Sequence, residues 1–573
     1  MKLNINVGVL GHVDCGKTSL CKALSTVAST SAFDKNPESK RRGITIDLGF
    51  SSFTVEKIPE KFSELAKAYS SILFTLVDCP GHASLIKTII CGSQIIDIIL
   101  LVIDVKKGIQ TQTAECIVIG QMTCRNLIVV LNKIDLIPEN EREVKINQVK
   151  KNLKNALKST NFTNIAYVPV SASVGSVPLD KESVCNNVEE LVELMIENIQ
   201  DPRDYREKNS LKPFIFAVDH CFNITGKGTI LTGTVLQGTL SNNDTVEFPL
   251  NSLQKKVQSM QMFHKPVNQI KTGDRAGICV TQLDANIMER GIICQPKLLP
   301  PTHACILYNV EKVAYFKNSV SSKKSFHVSI GQETLTASIL VFHSLANDGK
   351  MQPKSLKEFN TELFYDEELP NYEERIPKAN YYILVHFDRP VCCPLDNLLI
   401  GSKLDVNTNS KNCRIAFSGR VSIGLTSPKY HDEDLPNLKV FKSKTRRGKI
   451  DRVSNSREII VKNLFKKETN WSLFENLKVD LVCYKEESSN SMETDQLTDN
   501  DVMWSIPGRI VGTFGQTGKC RVNLSDDLPE DVVNRFSAKS KKEPQEKPTG
   551  FMHIDLVLDF KRFIFNKTGR FLQ

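Results

Sequence analysis

Short apolar runs alternating with amphipathic stretches organise the first two hundred residues. Ile5–Leu10 (INVGVL), Ile72–Val77, Ile98–Asp104, Leu127–Leu131 and Ala166–Val170 are compact and rich in β-branched residues. Runs so short and so continuously apolar predict strands buried on both faces, as in a parallel sheet. TSLCKALSTVAS, after the first run, and Glu189–Asn198 carry helical spacing instead. Strands alternating with helices predict an α/β, doubly wound and mostly parallel sheet. Gln200–Lys212 is polar, contains Pro202 and is followed by Pro213, so it reads as a linker.

Beyond it the pattern changes. PFIFAVDHCFNITGKGTILTGTVLQGTL, DTVEFPL, VQSMQMFH and GDRAGICVTQL are strand-like pieces punctuated by glycine turns, ending near Pro300-Pro301. Turn signals every ~8–12 residues predict a small β-barrel. HACILYNVEKVAYF begins a second β-rich section, and REIIVKNLF, NLKVDLVCY, GRIVGTF and HIDLVLDFKRFIF belong to a third. The expected organisation is a nucleotide-type α/β domain over 1–206, then three β-barrel-type domains over 207–300, 301–440 and 441–573. At roughly 150 residues per domain, a chain of 573 residues fits about four.

Composition narrows the class. Hydrophobic residues are 40% and charged residues 24%, which excludes disordered, collagen-like and mini-protein readings. Sixteen cysteines are scattered with no C-x-x-C pair, so reduced intracellular thiols are expected rather than a zinc ribbon. MKLNINVGVLG runs directly into a strand, with no secretory leader, and no early apolar run could span a bilayer, so no membrane partner is expected. The net charge of +9 is mild, but Phe441–Gln573 holds 24 basic and 19 acidic residues and so carries over half of it. The run Lys442–Lys449 reads equally as RNA contact, or as a solvated face or nuclear-import signal.

The chemistry begins after the first strand. Gly11-His12-Val13-Asp14-Cys15-Gly16-Lys17-Thr18 fits G-x-x-x-x-G-K-[ST] between a strand and a helix. Glycine backbone N–H groups and the helix start would cradle phosphates, with Lys17 as a point charge on them. The Thr18 hydroxyl could ligate Mg²⁺. Asp78-Cys79-Pro80-Gly81-His82 follows a second strand: Asp78 could hold Mg²⁺ through water, and the Gly81 N–H could meet a γ-phosphate. Asn132-Lys133-Ile134-Asp135 follows a third. A carboxylate at Asp135 accepts from guanine N1–H and the 2-amino group, a pair of donors that adenine lacks. Ser171-Ala172-Ser173 closes the set over guanine O6. Together these motifs point to a guanine-nucleotide switch that cycles GTP to GDP, a P-loop GTPase fold.

GHVDCGKT, RRGIT, DCPGH, NKID and SAS resemble the five nucleotide motifs of translational GTPases. That resemblance implies Thr45 as a further ligand to Mg²⁺, and two switch segments, Asp34–Phe50 and Asp78–Gln94. It implies His82 as the catalytic group that orients the attacking water, behind an apolar gate of Val13 and Ile44. DKNPESKRRGITIDLGFSSF, VDHCFNITGKGTILTGT, GDRAGICVTQ, FKKETNWSLF and FKRFIF further resemble selenocysteine-specific elongation factors of the eukaryotic and archaeal type. The resemblance covers essentially the whole chain, weakening over Glu358–Tyr372, Glu486–Asp501 and Ser537–Thr549.

From spacing alone, Asp219, His220 and Arg275 read as turn and strand-end residues of a barrel. The resemblance instead places them in the aminoacyl pocket. It implies GTP-dependent delivery of selenocysteinyl-tRNA to the ribosome at recoded UGA codons. It also implies ribosome-stimulated hydrolysis, a cytoplasmic location, to which a nuclear-import reading of the basic run adds a nuclear one, and a separate RNA-binding adaptor near the fourth domain. A general aminoacyl-tRNA elongation GTPase, and a regulatory ribosome-associated GTPase without tRNA cargo, remain the alternatives.

Overall fold

The computed structural model describes residues 2–25, 27–28, 49–80, 95–158, 160–172, 187–224, 226, 228–345, 352–359, 362–405, 413–466, 469–484, 502–515, 518–536, 553–565 and 571–572. They form two compact units. The first comprises Met1–Val341, Ala346–Glu358 and Glu367–Tyr430; the second comprises Phe342–Leu345, Phe359–Asp366 and His431–Gln573.

The first unit opens with seven strands: β1 (Lys2–Gly11), β2 (Val27–Ala28), β3 (Gly49–Val55), β4 (Ser71–Asp78), β5 (Ile98–Asp104), β6 (Asn126–Asn132) and β7 (Asn164–Val170). Their order is β2-β3-β4-β1-β5-β6-β7, parallel from β4 through β7, with β3 antiparallel to β4. All of β1 except Lys2 is buried, as the apolar run required of a central strand covered on both faces. Helices α1 (Lys17–Leu24), α2 (Ser63–Ala68), α3 (Thr111–Thr123), α4 (Glu139–Leu157) and α5 (Val188–Glu197) connect or follow these strands. In α4, buried Val149, Leu153 and Leu157 recur every four residues, so one narrow stripe docks a helix that is otherwise strongly charged.

The segment read as a linker is in fact helix α6 (Arg203–Ser210). Between its two prolines it contains no glycine, and Pro202 precedes its first turn, where a missing N–H costs nothing. Its Arg206 donates to Asp97 at 3.0 Å and to the Asn4 carbonyl. A polar helix is thus anchored by tertiary contacts that composition does not reveal.

Two closed barrels complete the first unit. Strands β8 (Ile215–Ile224), β9 (Gly228–Gln237), β11 (Thr245–Phe248), β12 (Leu253–Met262), β15 (Arg275–Val280) and β16 (Gly291–Cys294) run β11-β16-β8-β9-β15-β12, and β11 pairs β12 to close the ring. Short strands β10 (Thr239–Ser241) and β14 (Gln269–Lys271) pair beside it, while β13 (Lys265–Val267) pairs antiparallel with the end of β12. In the next barrel, β17 (Thr302–Lys312), β18 (Ser325–Ile330), β19 (Glu333–Ser344), β21 (Asn380–Val391), β22 (Leu398–Ser402) and β23 (Ile415–Leu425) run β18-β22-β23-β17-β21-β19, closed by β18 on β19. Closure leaves no open edge, so six short strands can bury one apolar interior.

The second unit is a third ring. Strands β24 (Val440–Asn455), β25 (Glu458–Lys462), β26 (Lys478–Tyr484), β27 (Val502–Phe514), β28 (Lys519–Leu524) and β29 (His553–Phe563) run β24-β25-β28-β27-β26-β29, and β24 pairs β29. Strand β20 (Leu363–Asp366) lies parallel to the start of β24. The basic run Lys442–Lys449 is therefore part of a long strand. Arg446 lies over Phe474 at 4.9 Å and near Phe465 and Phe560, giving the guanidinium an aromatic bed. Arg447 donates to Tyr484, while Lys462 and Lys519 flank Asp451. Several cations of this basic domain thus tie its own strands together.

Candidate nucleotide and aminoacyl sites

The loop after β1 is shaped by its two glycines. Gly11 has φ +147°, and a Cβ there would lie 2.4 Å from the Val102 carbonyl oxygen. Gly16 has φ +93°, and its Cβ would strike the Asn132 amide at 2.3 Å. Both positions combine left-handed backbone with close approach, which is why side chains are excluded. Lys17 donates to the His12 carbonyl at 2.7 Å, and the Thr18 hydroxyl donates to Asp78 Oδ2 at 2.7 Å. The hydroxyl of α1 and the carboxylate ending β4 therefore meet at one point, a pair of hard oxygens.

Asn132, Lys133 and Ala172 converge on the same loop. Asn132 donates to the Cys15 carbonyl at 2.9 Å and accepts from the Ala172 N–H at 3.1 Å, joining β6, the loop and the end of β7. Lys133, itself left-handed at φ 67°, donates to the Asp14 carbonyl and pairs with Asp104 at 3.0 Å. Burial would raise the Asp104 carboxyl, but hydrogen bonding and charge from Lys133 outweigh it and hold it low. The exposed Asp135 accepts from the Ser171 hydroxyl at 2.7 Å, which fixes its carboxylate plane. Asn132 and Lys133 thus clamp the phosphate loop, leaving Asp135 at the solvent side.

Cys15, Cys79 and Cys116 surround this loop, and burial pushes all three thiols up, Cys116 to about 12. They are protonated packing groups, and every described cysteine is unbridged. Cys79 and Pro80 continue directly from β4. Gly81, His82, Ile44, Thr45 and Ser173, with most of both switch segments, lie outside the described residues.

The second constellation is in the first barrel. Asp219 on β8 is 1% exposed and Arg275, opening β15, is 4% exposed. Arg275 Nη1 meets Asp219 Oδ2 at 2.5 Å and Nη2 meets Oδ1 at 3.2 Å, a two-pronged ion pair. His220 Nδ1 lies 2.9 Å from Asp219 Oδ1, and the Thr232 hydroxyl on β9 donates to that same oxygen at 2.8 Å. Burial acts to raise the Asp219 carboxyl, yet the Arg275 charge and these hydrogen bonds hold it well below the usual carboxylate range. Asp219 therefore serves both partners at once.

Gly273, at φ +88°, makes the turn two residues before Arg275, and its carbonyl accepts from Asn4 at 2.9 Å and Asn6 at 3.3 Å. A Cβ at Gly273 would lie 2.5 Å from the Arg206 guanidinium, so helix α6 and β1 both fix the strand that carries Arg275. Arg275 and Thr232 also line a cavity of about 660 Å³, with Phe222, Gln258, Gln261 and His264 among its other walls.

The sequence places Phe50 at the end of the first switch segment; the structure brings it into this site. It lies on β3 beside Val77, one residue before Asp78, and is wholly buried. Its ring stacks on Arg275, 3.2 Å from Cζ to centroid, and meets the His220 ring edge-on at 6.3 Å. The nucleotide domain thus supplies one wall of the barrel site. The alternation in GFSSFTV signals which side chains share a face, but not that this face meets another domain.

The family model for the elongation factor Tu GTP binding domain matches residues 2–201, and that for elongation factor Tu domain 2 matches 228–292. The third-domain model of eukaryotic selenocysteine-specific elongation factors matches 307–419. The model described as the eEFSec C-terminal RIFT domain matches 436–490 and 503–569. The selenocysteine-specific elongation factor of Mus musculus is 40% identical, over 100% of this chain and 99% of the mouse protein. That of Methanocaldococcus jannaschii is 35% identical over 62% of this chain and 70% of its own. Among solved structures, translation elongation factor SelB from Methanococcus maripaludis, in complex with the GTP analogue GppNHp, matches with a TM-score of 0.65 and 25% identity, over 98% of this chain and 99% of that one. A GTP-binding fold, three barrels in this order and full-length similarity agree: the chain belongs to the family of selenocysteine-specific elongation factors, the translational GTPases of selenocysteine insertion.

Proposed function

We propose that this protein binds GTP, carries selenocysteinyl-tRNA to the ribosome at recoded UGA codons, and releases it after hydrolysing GTP to GDP. The observation that carries this reading is the buried Asp219–Arg275 pair with His220 beside it, its Arg275 both lining a cavity and stacked on Phe50. A selenol is more acidic than a thiol or a hydroxyl, so selenocysteine arrives as an anion at neutral pH. Arg275 and His220 offer N–H groups to that anion, whereas an uncharged serine gains little from them. Asp219 holds both donors in place and would repel an anion that approached without them.

In the nucleotide domain, residues 11–18 cradle the phosphates and Lys17 neutralises them. Asp135 reads the guanine edge, with Asn132 and Lys133 holding the loop beneath it and Ser171-Ala172 closing over O6. Thr18 and Asp78 suit Mg²⁺, a hard cation that prefers oxygen ligands, and their two oxygens already meet. Thr45 would join them as a further ligand. When bound, Mg²⁺ would neutralise charge on the β- and γ-phosphates.

His82 would orient the attacking water once the ribosome draws it past Val13 and Ile44. The described part of 441–573 is a barrel with no winged helix, so an mRNA signal would be read by a separate RNA-binding adaptor docked on this domain. Translation places this work in the cytoplasm.

His82→Ala tests the catalytic assignment. GTP and GDP affinities are expected to stay within about twofold, while ribosome-stimulated hydrolysis falls about 10²–10⁴-fold, the range for losing one positioned acid–base group. Equal losses of nucleotide binding and turnover would make His82 structural. Protection of no aminoacyl-tRNA at all would favour a regulatory GTPase without cargo.

A further inference from the structure

Helix α3 makes two contacts from one face. In its first turn, the Gln112 side-chain oxygen accepts from the Val13 backbone N–H at 3.4 Å. Three residues on, buried Glu115 receives the Arg414 guanidinium through Nε at 2.9 Å and Nη2 at 2.7 Å. Residues three apart on a helix are surface neighbours, so both contacts load the same side of α3. Arg414 directly precedes β23, and its own carbonyl accepts from the Lys403 N–H at 2.8 Å. The barrel over 301–440 thereby grips α3 through a buried, two-pronged ion pair.

The peptide that Gln112 holds is also held at its other end. The His12 carbonyl accepts from Lys17 at 2.7 Å, while the Val13 N–H of the same peptide points to Gln112. Turning this plane over would withdraw the carbonyl from Lys17 and break the Val13 N–H hydrogen bond to Gln112. Gln112 therefore selects the orientation that keeps Lys17 anchored, and Glu115–Arg414 keeps α3 from sliding or rotating away.

We propose that Gln112 is a positioning residue for the phosphate loop, and that the Glu115–Arg414 pair lets the 301–440 barrel set how long a guanine nucleotide stays bound. This rests on reading residues 11–18 as the phosphate site. The probe is a fluorescent GDP analogue, chased from the full-length protein by excess GDP in a stopped-flow instrument.

Gln112→Met keeps side-chain length but removes the acceptor. Release is expected about fivefold to tenfold faster, with association and thermal midpoint unchanged. Removing both members of the ion pair, Glu115→Gln with Arg414→Met, leaves no buried charge stranded. It should speed release to a similar extent, and adding Gln112→Met should speed it no further, because both act through one hydrogen bond.

Unchanged release in Gln112→Met overturns the positioning role. Additive effects, or no effect of the Glu115/Arg414 variant, overturn the link to the barrel. Failure of the unaltered protein to bind the analogue would instead overturn the phosphate-site reading, and this inference with it.

Discussion

Asp135→Asn will lower affinity for GTP and GDP by about 10²–10³-fold and raise affinity for xanthine nucleotides. The carboxylate is acceptor-only, matched to the two donors on the guanine edge, and Ser171 fixes its plane at 2.7 Å. An amide at the same place presents one donor and one acceptor, so a guanine N–H is left facing an N–H. Xanthine replaces the 2-amino donor with an oxygen acceptor and so complements the amide. Asn132 and Lys133, which hold the loop through Cys15 and Asp14, are untouched, and the variant should fold normally. Competition between GTP and XTP for the purified protein reads the switch directly. Parallel loss of both nucleotides would remove Asp135 from base recognition.

The second large effect is at Arg275. Arg275→Ala is expected to weaken protection of selenocysteinyl-tRNA by tens to hundreds of fold while GTP affinity stays near normal. Part of that loss would be structural, because truncating one partner strands Asp219 as a buried charge, typically at a cost of about 3–5 kcal/mol. The combined variant Asp219→Asn with Arg275→Met separates the two contributions. With the charge pair gone and similar volume retained, stability should largely return, since such replacements are often neutral. Discrimination between selenocysteinyl- and seryl-tRNA should not return. Recovery of discrimination together with stability would reduce the pair to scaffold.

Acid titration of the unaltered protein supplies a companion sign. The Asp219 carboxyl is held below its unfolded value, so its contribution to stability is complete above about pH 4 and is lost only as pH falls through the lower folded value.

Much of the nucleotide site was legible because its chemistry is contiguous. GHVDCGKT, NKID and Ser171-Ala172 each lie in one stretch at the end of one strand, so spacing alone carries their geometry. The buried strands were legible for a similar reason: Ile98–Asp104 is apolar at nearly every position because it is covered on both faces.

The barrel pocket was legible only through resemblance. Asp219 and Arg275 lie 56 residues apart, and nothing local says that their side chains meet. Phe50 and Gln112 were invisible for the same reason. Each does its work across a domain seam, where partners are chosen by tertiary placement. Helix α6 shows a further limit, since a polar stretch between prolines became helical once Arg206 could bridge Asn4 and Asp97. The basic run from Lys442 gained a structural role when its arginines proved to rest on Phe474 and Tyr484.

A buried ion pair in the first barrel, with His220 beside it, selects selenocysteine on a tRNA. The most direct measurement of that selection is the rate of spontaneous deacylation of selenocysteinyl-tRNA and of seryl-tRNA on the same tRNA body, each with the protein and GTP. Strong protection of the selenocysteinyl form is expected, with at least tenfold weaker protection of the seryl form. Equal protection of the two would contradict it.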